Sequence, residues 1–523
     1  MVQLTGNDLT IEMVVDVAVH LQQVEMLADD VRGRVQAAHD WVQEQMTSHG
    51  ETMIYGVNTG FGPLATTKIE HSQARKLSRN LILNCMAGVG PPLPEDVVRA
   101  MLLIRANSLA KGHSGVRPVI IETLIHMLNR GVTPYVPSKG SLGASGDLAP
   151  LAHMSVVLTC ETHPGDNSES GRAWFGGELL SGAEAMRRAG IPRIVLEAKE
   201  GLALSNGTTF MAAAAALAVS RAENLLAHAE LGAAMSFEAL LGISAALSSD
   251  LHRANEQPGQ MTTAANLLTL FEGSDLVDSA LTKVQDAYSL RCTPQVLGPI
   301  RDALSFLRGR VTSALNAASD NPLIFLHDDG TSRAISGGNF HGAGLAMWLD
   351  FLRIAIAEAG NLAERRIFRM VTPELSGGLP PMLVSTSGLD SGLMIPQYTA
   401  AALVSDNKTL CHPDSVDSIP SSANQEDHVS MGANAARHTL EVLDNVRYIL
   451  AVELLTAAQA IDLRENGPAR LGQMTGIAYR RIRQTVQFLE HDRETASDIA
   501  ELANLIHTRE LLADLDNHEG NTK

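Results

Sequence analysis

A chain of 523 residues with 45% hydrophobic and 19% charged residues carries enough apolar material for a large core. That excludes a disordered or fibrous protein and removes any need for disulfide or metal staples. Forty Lys and Arg against 58 Asp and Glu leave a formal net charge of −18, which argues against nucleic acid and anionic membrane surfaces as partners.

Aromatic residues make up 4% while Ala and Leu fill long stretches, a balance that favours closely packed helices over a β-sandwich. The spacing of Leu9, Val14, Val17 and Leu21 predicts helix from Asp8 to about Gln45, with a start at Thr5–Gly6. Residues 54–65, IYGVNTGFGPLA, read as a glycine-punctuated loop. Helical patterns return over 74–85, 94–111 and 116–130, and the Gly-, Pro- and Ser-rich stretch 131–152 reads as a loop feeding a helix near Asp147. Residues 160–183 look like a surface excursion. Beyond them, 208–243, 298–318, 343–371 and 432–463 are long and apolar or amphipathic, as in a helical bundle. The expected fold is mainly α: a loop-rich N-terminal domain, 1–200, and a helical-bundle domain, 201–523.

The four cysteines (Cys85, Cys160, Cys292, Cys411) show no CxxC spacing, which suits a reducing compartment and no zinc cluster. His113, His153, His412 and His428 form no ligand spacing and read as hydrogen-bonded structural residues; no metal is expected. The N-terminus lacks the basic and apolar regions of a secretory signal. The longest apolar run, Phe210–Val219, stops at Ser220-Arg221, too short for a bilayer. A cytoplasmic protein is expected.

The segment Ala144-Ser145-Gly146 is where chemistry is most readily placed. Gly146 has no Cβ, so its nitrogen can come close to the Ala144 carbonyl, and the Ser145 hydroxyl can leave as water. A tight turn here could close into a five-membered ring and dehydrate to an electrophilic alkene, which no ordinary side chain provides. By itself the segment is equally an ordinary Gly/Ser turn. It is not a nucleophile elbow, because the second glycine comes one place early, and it lacks the G-K-[ST] of a P-loop.

The surrounding GSLGASGDLAPLAH (140–153) resembles the signature of the histidine and aromatic amino-acid ammonia-lyases. The resemblance extends, in matching order, through YGVNTGFG (55–62), GLALSNGT (201–208), QDAYSLRCTPQ (285–295), SDNP (319–322), SGGNFHG (336–342) and SSANQEDHVSM (421–431). It implies that Ala144, Ser145 and Gly146 cyclise unaided into 4-methylidene-imidazol-5-one (MIO), which serves elimination of ammonia from an α-amino acid. It also implies a mainly α-helical homotetramer whose sites are assembled from several chains.

Carried over residue by residue, the resemblance assigns the general base to Tyr55, within a glycine-rich loop suited to a lid. Arg291 would hold the substrate carboxylate through its two-pronged donor geometry. Tyr288 would orient substrate and MIO; Asn206 and Gln285 would line the pocket, Asn206 holding the MIO carbonyl; Phe340 would form a wall. Asn321 is expected to shape the supporting turn. Each has a plainer reading: a tyrosine packed on its own turn, a surface ion pair, a core phenylalanine.

Glu426, in Asn424-Gln425-Glu426, resembles the form found in histidine lyases, where a carboxylate opposite an imidazole N–H gains a charge-assisted hydrogen bond. Opposite a phenyl ring it would be poorly compensated. Asn84-Cys85 departs from the family: histidine lyases usually carry Ser-His there, tyrosine lyases a histidine one step earlier, and phenylalanine lyases a bulky apolar pair. Cys85 is smaller than histidine and a weak hydrogen-bonding group, and Asn84 could meet a phenol hydroxyl. The favoured reading is elimination of ammonia from L-histidine to give urocanate. The alternatives are a tyrosine or phenylalanine ammonia-lyase or an aromatic amino-acid aminomutase with the same chemistry, and, from another class, a helical scaffold that has lost activity.

Overall fold

The computed structural model describes residues 1–48 and 53–515. These form eighteen α-helices and a few short strands. In chain order the first helices are α1 (Ile11–Ala18), α2 (Asp29–Ser48), α3 (Ala74–Cys85), α4 (Glu95–Ala110), α5 (Pro118–Arg130), α6 (Leu148–Leu158), α7 (Gly182–Arg188) and α8 (Glu200–Ser205). There follow α9 (Thr209–Ala239), α10 (Ser249–Asn255), α11 (Pro258–Leu270), α12 (Tyr288–Arg291) and α13 (Thr293–Leu315). The last five are α14 (Ala343–Val371), α15 (Met394–Leu410), α16 (Gly432–Asp462), α17 (Gln473–Thr485) and α18 (Ala496–Thr508).

The chain folds into two compact units, each built from separate segments. The first comprises 1–220, 308–350 and 413–437; the second comprises 221–307, 351–412 and 438–523. The compositional boundary near residue 200 lies inside the longest segment of the first unit.

In the first unit α4 is the central helix, with every residue from Val97 to Ala110 buried, and α1 and α5 pack against it. A second group, α3, α6 and α8, packs mutually. The approach of α8 to α3 depends on Gly201, where a Cβ would stand 2.2 Å from the Ser78 carbonyl oxygen. This packing positions the site: it brings together the last turn of α3, the segment entering α6 and the residues leaving α8.

The helix expected over 8–45 is two helices. Thr10 caps α1, its side chain accepting from Met13 N. The chain then leaves the helix because Asn129 takes up both backbone groups of Val24, donating to its oxygen at 2.7 Å and accepting from its nitrogen at 2.8 Å. Val24 also bridges to Val2. These long-range bonds outweigh local helix propensity. The loop expected over 131–152 contains two short strands, Thr133–Pro134 and Pro137–Lys139. The first joins a three-stranded sheet with the hairpin Arg172–Phe175/Glu178–Ser181, which forms the excursion after residue 160.

In the second unit, the buried Arg366 forms an ion pair with the buried Glu453, which also accepts from Ser236 Oγ at 2.9 Å. Two charges taken out of water need such pairing. Helix α9 belongs to both units and extends beyond the apolar run at 210–219. By length and composition it could cross a membrane, but 78% of its most apolar window is buried inside the protein, as in a core helix.

Candidate active site

A cavity of about 690 Å³ is walled by residues of the first unit, a size usual for small-molecule sites. Of the residues singled out in the sequence, Tyr55, Asn84, Cys85, Ala144, Ser145, Asn206, Phe340 and Glu426 line it. Gln285, Tyr288 and Arg291 do not; they belong to the second unit.

The Ala144–Gly146 loop is held in a tight reversal. Gly143 and Gly146 form a bridge across Ala144 and Ser145, and Gly146 pairs in turn with Gly207. Gly146 has φ +76°, and a Cβ on it would lie 2.2 Å from the Gly207 carbonyl oxygen, so only glycine fits. Asn206 Nδ2 donates to the Ser145 carbonyl oxygen at 2.8 Å, and Gly207 N donates to it at 3.4 Å. Asp147 N returns a bond to Gly207 O at 2.7 Å. From the other side Ser141 Oγ donates to Gly146 O at 3.2 Å and Ser430 Oγ to Gly143 O at 3.2 Å.

The Ser145 hydroxyl donates to Glu426 Oε1, while Glu426 Oε2 accepts from Ser421 Oγ at 2.8 Å and Ser422 Oγ at 3.0 Å. Cys85, on the last turn of α3, faces the same cavity; burial, and then the Glu426 carboxylate, push its thiol up to about 11. His153 on α6 accepts from Gly88 N at 3.1 Å and so ties the segment after Cys85 to the helix that follows the loop. Asp147 is fully buried, and burial pushes its carboxyl up to about 7, against the N–H groups of Met211 and Phe210.

Tyr55 stands in a loop closed by Gly60 N to Thr67 O and Ile69 N to Asn58 O, both 2.9 Å. Gly62 N donates to the phenol oxygen at 3.1 Å, and the ring meets Phe61 edge-on. Asn321 spends both ends of its amide on the next loop, donating to Ser336 Oγ at 3.1 Å and accepting from Gly337 N at 2.7 Å. That loop carries Phe340 and His341 to the cavity.

In this setting the comparisons with known proteins are decisive. The family described as aromatic amino acid lyase matches residues 9–484. The chain belongs to the aromatic amino acid lyase family. It is 47% identical to the histidine ammonia-lyase of Treponema denticola over 518 residues, covering 99% of this chain and 98% of that one. It is 46% identical to that of Natranaerobius thermophilus, with 100% of both chains covered. Among solved structures it resembles the histidine ammonia-lyase of Trypanosoma cruzi (38% identity, TM-score 0.88, 99% and 95% of the two chains). It is equally similar to the tyrosine aminomutase of Streptomyces globisporus (37% identity, TM-score 0.91, 99% and 98%).

For an aromatic amino acid lyase, the cavity also contains residues that the sequence reading did not single out as site residues. His341 and His428 stack with ring centroids 5.3 Å apart, Nε2 of the first lying 3.2 Å from Nδ1 of the second. Ala343 N donates to His341 Nδ1 at 3.3 Å, and His341 Nε2 also lies 3.3 Å from the His428 carbonyl oxygen. Both histidines lie in quoted motifs, but nothing in their spacing announces that two distant loops join there. Among the described residues no cluster of three His, Cys, Asp or Glu side chains is placed to hold a metal ion. Of the residues outside the cavity, Tyr288 is 70% exposed and Gln285 is exposed, while Arg291 is half-buried with its guanidinium on the Tyr288 ring at 4.8 Å.

Proposed function

We propose that this lyase removes ammonia from L-histidine to give urocanate, using MIO formed from Ala144, Ser145 and Gly146. The observation that carries the reading is Glu426, a carboxylate in the same cavity as the Ala-Ser-Gly loop and bonded to its serine. In maturation the Gly146 nitrogen bonds to the Ala144 carbonyl carbon, whose oxygen leaves as water. Ser145 loses Oγ and its Cα hydrogen as a second water. The loop fits this outcome: its reversal is fixed, glycine is required at 146, and two N–H donors already address the carbonyl oxygen that remains.

The group supplies an electrophilic alkene carbon. Asn206 and Gly207 polarise the neighbouring carbonyl, as preorganised donors do best where water is excluded. Tyr55 takes the β-proton, its oxygen positioned by Gly62 N–H. Loss of the Ser145 hydroxyl frees Glu426 Oε1, which then accepts the imidazole N–H. Phe340 walls the ring, and Asn84 and Cys85 border the same cavity.

Arg291 binds the substrate carboxylate, with Tyr288 and Gln285 beside it, in the cavity of another copy. The exposure of Tyr288 and Gln285 supports this, as do the exposed apolar side chains of the second unit, including Phe306, Phe351, Ile354, Ile395 and Tyr398. The assembly is a cytoplasmic homotetramer with shared sites.

Intact mass and product absorbance test the reading together. The purified protein should be lighter than its sequence by two waters and should form urocanate from histidine. Ser145→Ala should remove both the mass deficit and the activity, a loss of at least ~10³-fold. A second reading, a tyrosine or phenylalanine lyase or an aminomutase, rests on Asn84-Cys85. Coumarate, cinnamate or a β-amino acid formed in place of urocanate would establish it.

A further inference from the structure

We propose that Arg105 is a positioning residue for the Ala144–Gly146 loop, acting through the backbone of Asn206 and Gly207. The inference rests on the proposed maturation of that loop. Arg105 lies on α4 and is fully buried. Its Nη2 donates to the carbonyl oxygen of Asn206, while its Nε and Nη1 have no hydrogen-bond partner among the described residues. Leaving donors unpaired inside a protein is costly, so a lone bond from such a group has to be explained.

The position of that bond gives the explanation. Asn206-Gly207 is a two-residue brace. On one side its side-chain amide and Gly207 N converge on the Ser145 oxygen, and Gly207 O accepts from Asp147 N. On the other side lies Arg105: a Cβ on Gly207 would stand 2.7 Å from its Nη2. The brace is therefore clamped between the loop and the guanidinium. Gly207, at φ +134°, takes a backbone conformation that side chains rarely adopt, which the clamp must hold.

Burial lowers the basicity of Arg105, and Asp320 and then Asp147 oppose that loss. Asp320 is itself anchored by Lys199 Nζ at 2.6 Å and Ser114 Oγ at 2.9 Å. Arg105 thus stands on a fixed frame and transmits that position to the Ser145 carbonyl.

The plainer role for Arg105 is charge balance for Asp147 and Asp320, and the test separates the two. In Arg105→Lys the cation remains but the long two-pronged group is lost; in Arg105→Met the charge goes too. Intact mass is followed in timed samples after synthesis, beside circular dichroism, for the wild type and both variants. The expected result is a folded Arg105→Lys protein that acquires the two-water deficit at least ~10-fold more slowly than the wild type, with Arg105→Met slower still. Once matured, each should show reduced kcat with KM for histidine changed less than about twofold, as for a weakened transition-state donor. Wild-type maturation rate and kcat in Arg105→Lys would overturn the proposal and leave charge balance. Should Arg105→Met fail to fold, Arg105→Lys decides alone. A wild-type protein of full sequence mass would overturn the maturation reading itself, and this inference with it; that outcome is visible before any variant is made.

Discussion

The two groups of residues assigned to catalysis differ in how far the single chain prepares them. Around Ser145 the loop is braced from several sides: Asn206, Gly207 and Glu426 hold the serine, and Ser421 and Ser422 hold Glu426. The Gln285–Arg291 segment has the opposite character. Tyr288 and Gln285 face solvent, and among the described residues Arg291 Nε is buried without a hydrogen-bond partner. Groups that make the reactive loop are locked within one unit, whereas groups that would grip the substrate carboxylate are left open. On the proposed function, the contrast makes maturation a property of one folded chain and turnover a property of the assembly.

The sharpest way to break this comparison is to mix two inactive proteins. Ser145→Ala lacks the reactive loop and Arg291→Ala lacks the carboxylate grip. Coexpressed in one assembly they should regain activity from below ~0.1% to roughly a quarter of wild type, because some sites combine an intact half from each. No recovery in verified mixed tetramers would place both halves in the same chain's site. Arg291→Ala alone should keep the two-water deficit.

A smaller effect is expected at the ring end of the cavity. Glu426→Ala should lower kcat/KM for histidine by ~10²-fold or more and affect any phenylalanine turnover much less. Cys85→His, which restores a ring-contacting group, should change KM for histidine by a few fold. Equal losses of Glu426→Ala on both substrates would remove the imidazole contact from the account.

The smallest effects are in stability against pH, where the two units run in opposite directions. Asp147, in the first, is raised to about 7, so the folded chain binds its proton more tightly; its contribution is complete below about pH 4 and is lost as pH rises to 7. His228, in the second, is lowered to about 4 by burial, with Nδ1 on the Asn224 carbonyl at 2.9 Å. Its contribution is present above about pH 6.5 and is lost as pH falls to 4. Melting Asp147→Asn and His228→Gln between pH 4 and 8 should flatten opposite limbs of the wild-type profile. Parallel shifts at every pH would show that neither group titrates in these windows.

Much of the fold was legible because helix period and punctuation agree. Ala74–Cys85 was expected over 74–85 and found there, since its apolar face is regular and the glycine-bearing stretch after Met86 ends it. The break after Ala18 was not legible: it depends on Asn129, more than a hundred residues away in sequence. A division into units of three segments each has no local marker either. At the site, the Ala-Ser-Gly turn was legible only through the resemblance of its flanking sequence to the lyases; the close approach that requires glycine at 146 appears only in the structure. The pairing of His341 with His428 and the clamp of Arg105 on Asn206 arise only when separate segments meet. Arg105 was hidden in an apolar helix, where a single arginine gives no indication of which way it turns.

The cavity's placement at helix ends carries a consequence for how such an enzyme diversifies. The final turn of α3 supplies Asn84 and Cys85, while the residues entering α6 supply the reactive loop. Because the two helices share a packed interface but not these terminal residues, Asn84 and Cys85 can be exchanged without altering the reactive loop, whereas Glu426, bonded to Ser145, cannot. On the proposed function, exchanges on that one turn of α3 would retune the accepted side chain and leave the loop that does the chemistry intact. Substrate choice is thus a replaceable fitting on a fixed machine.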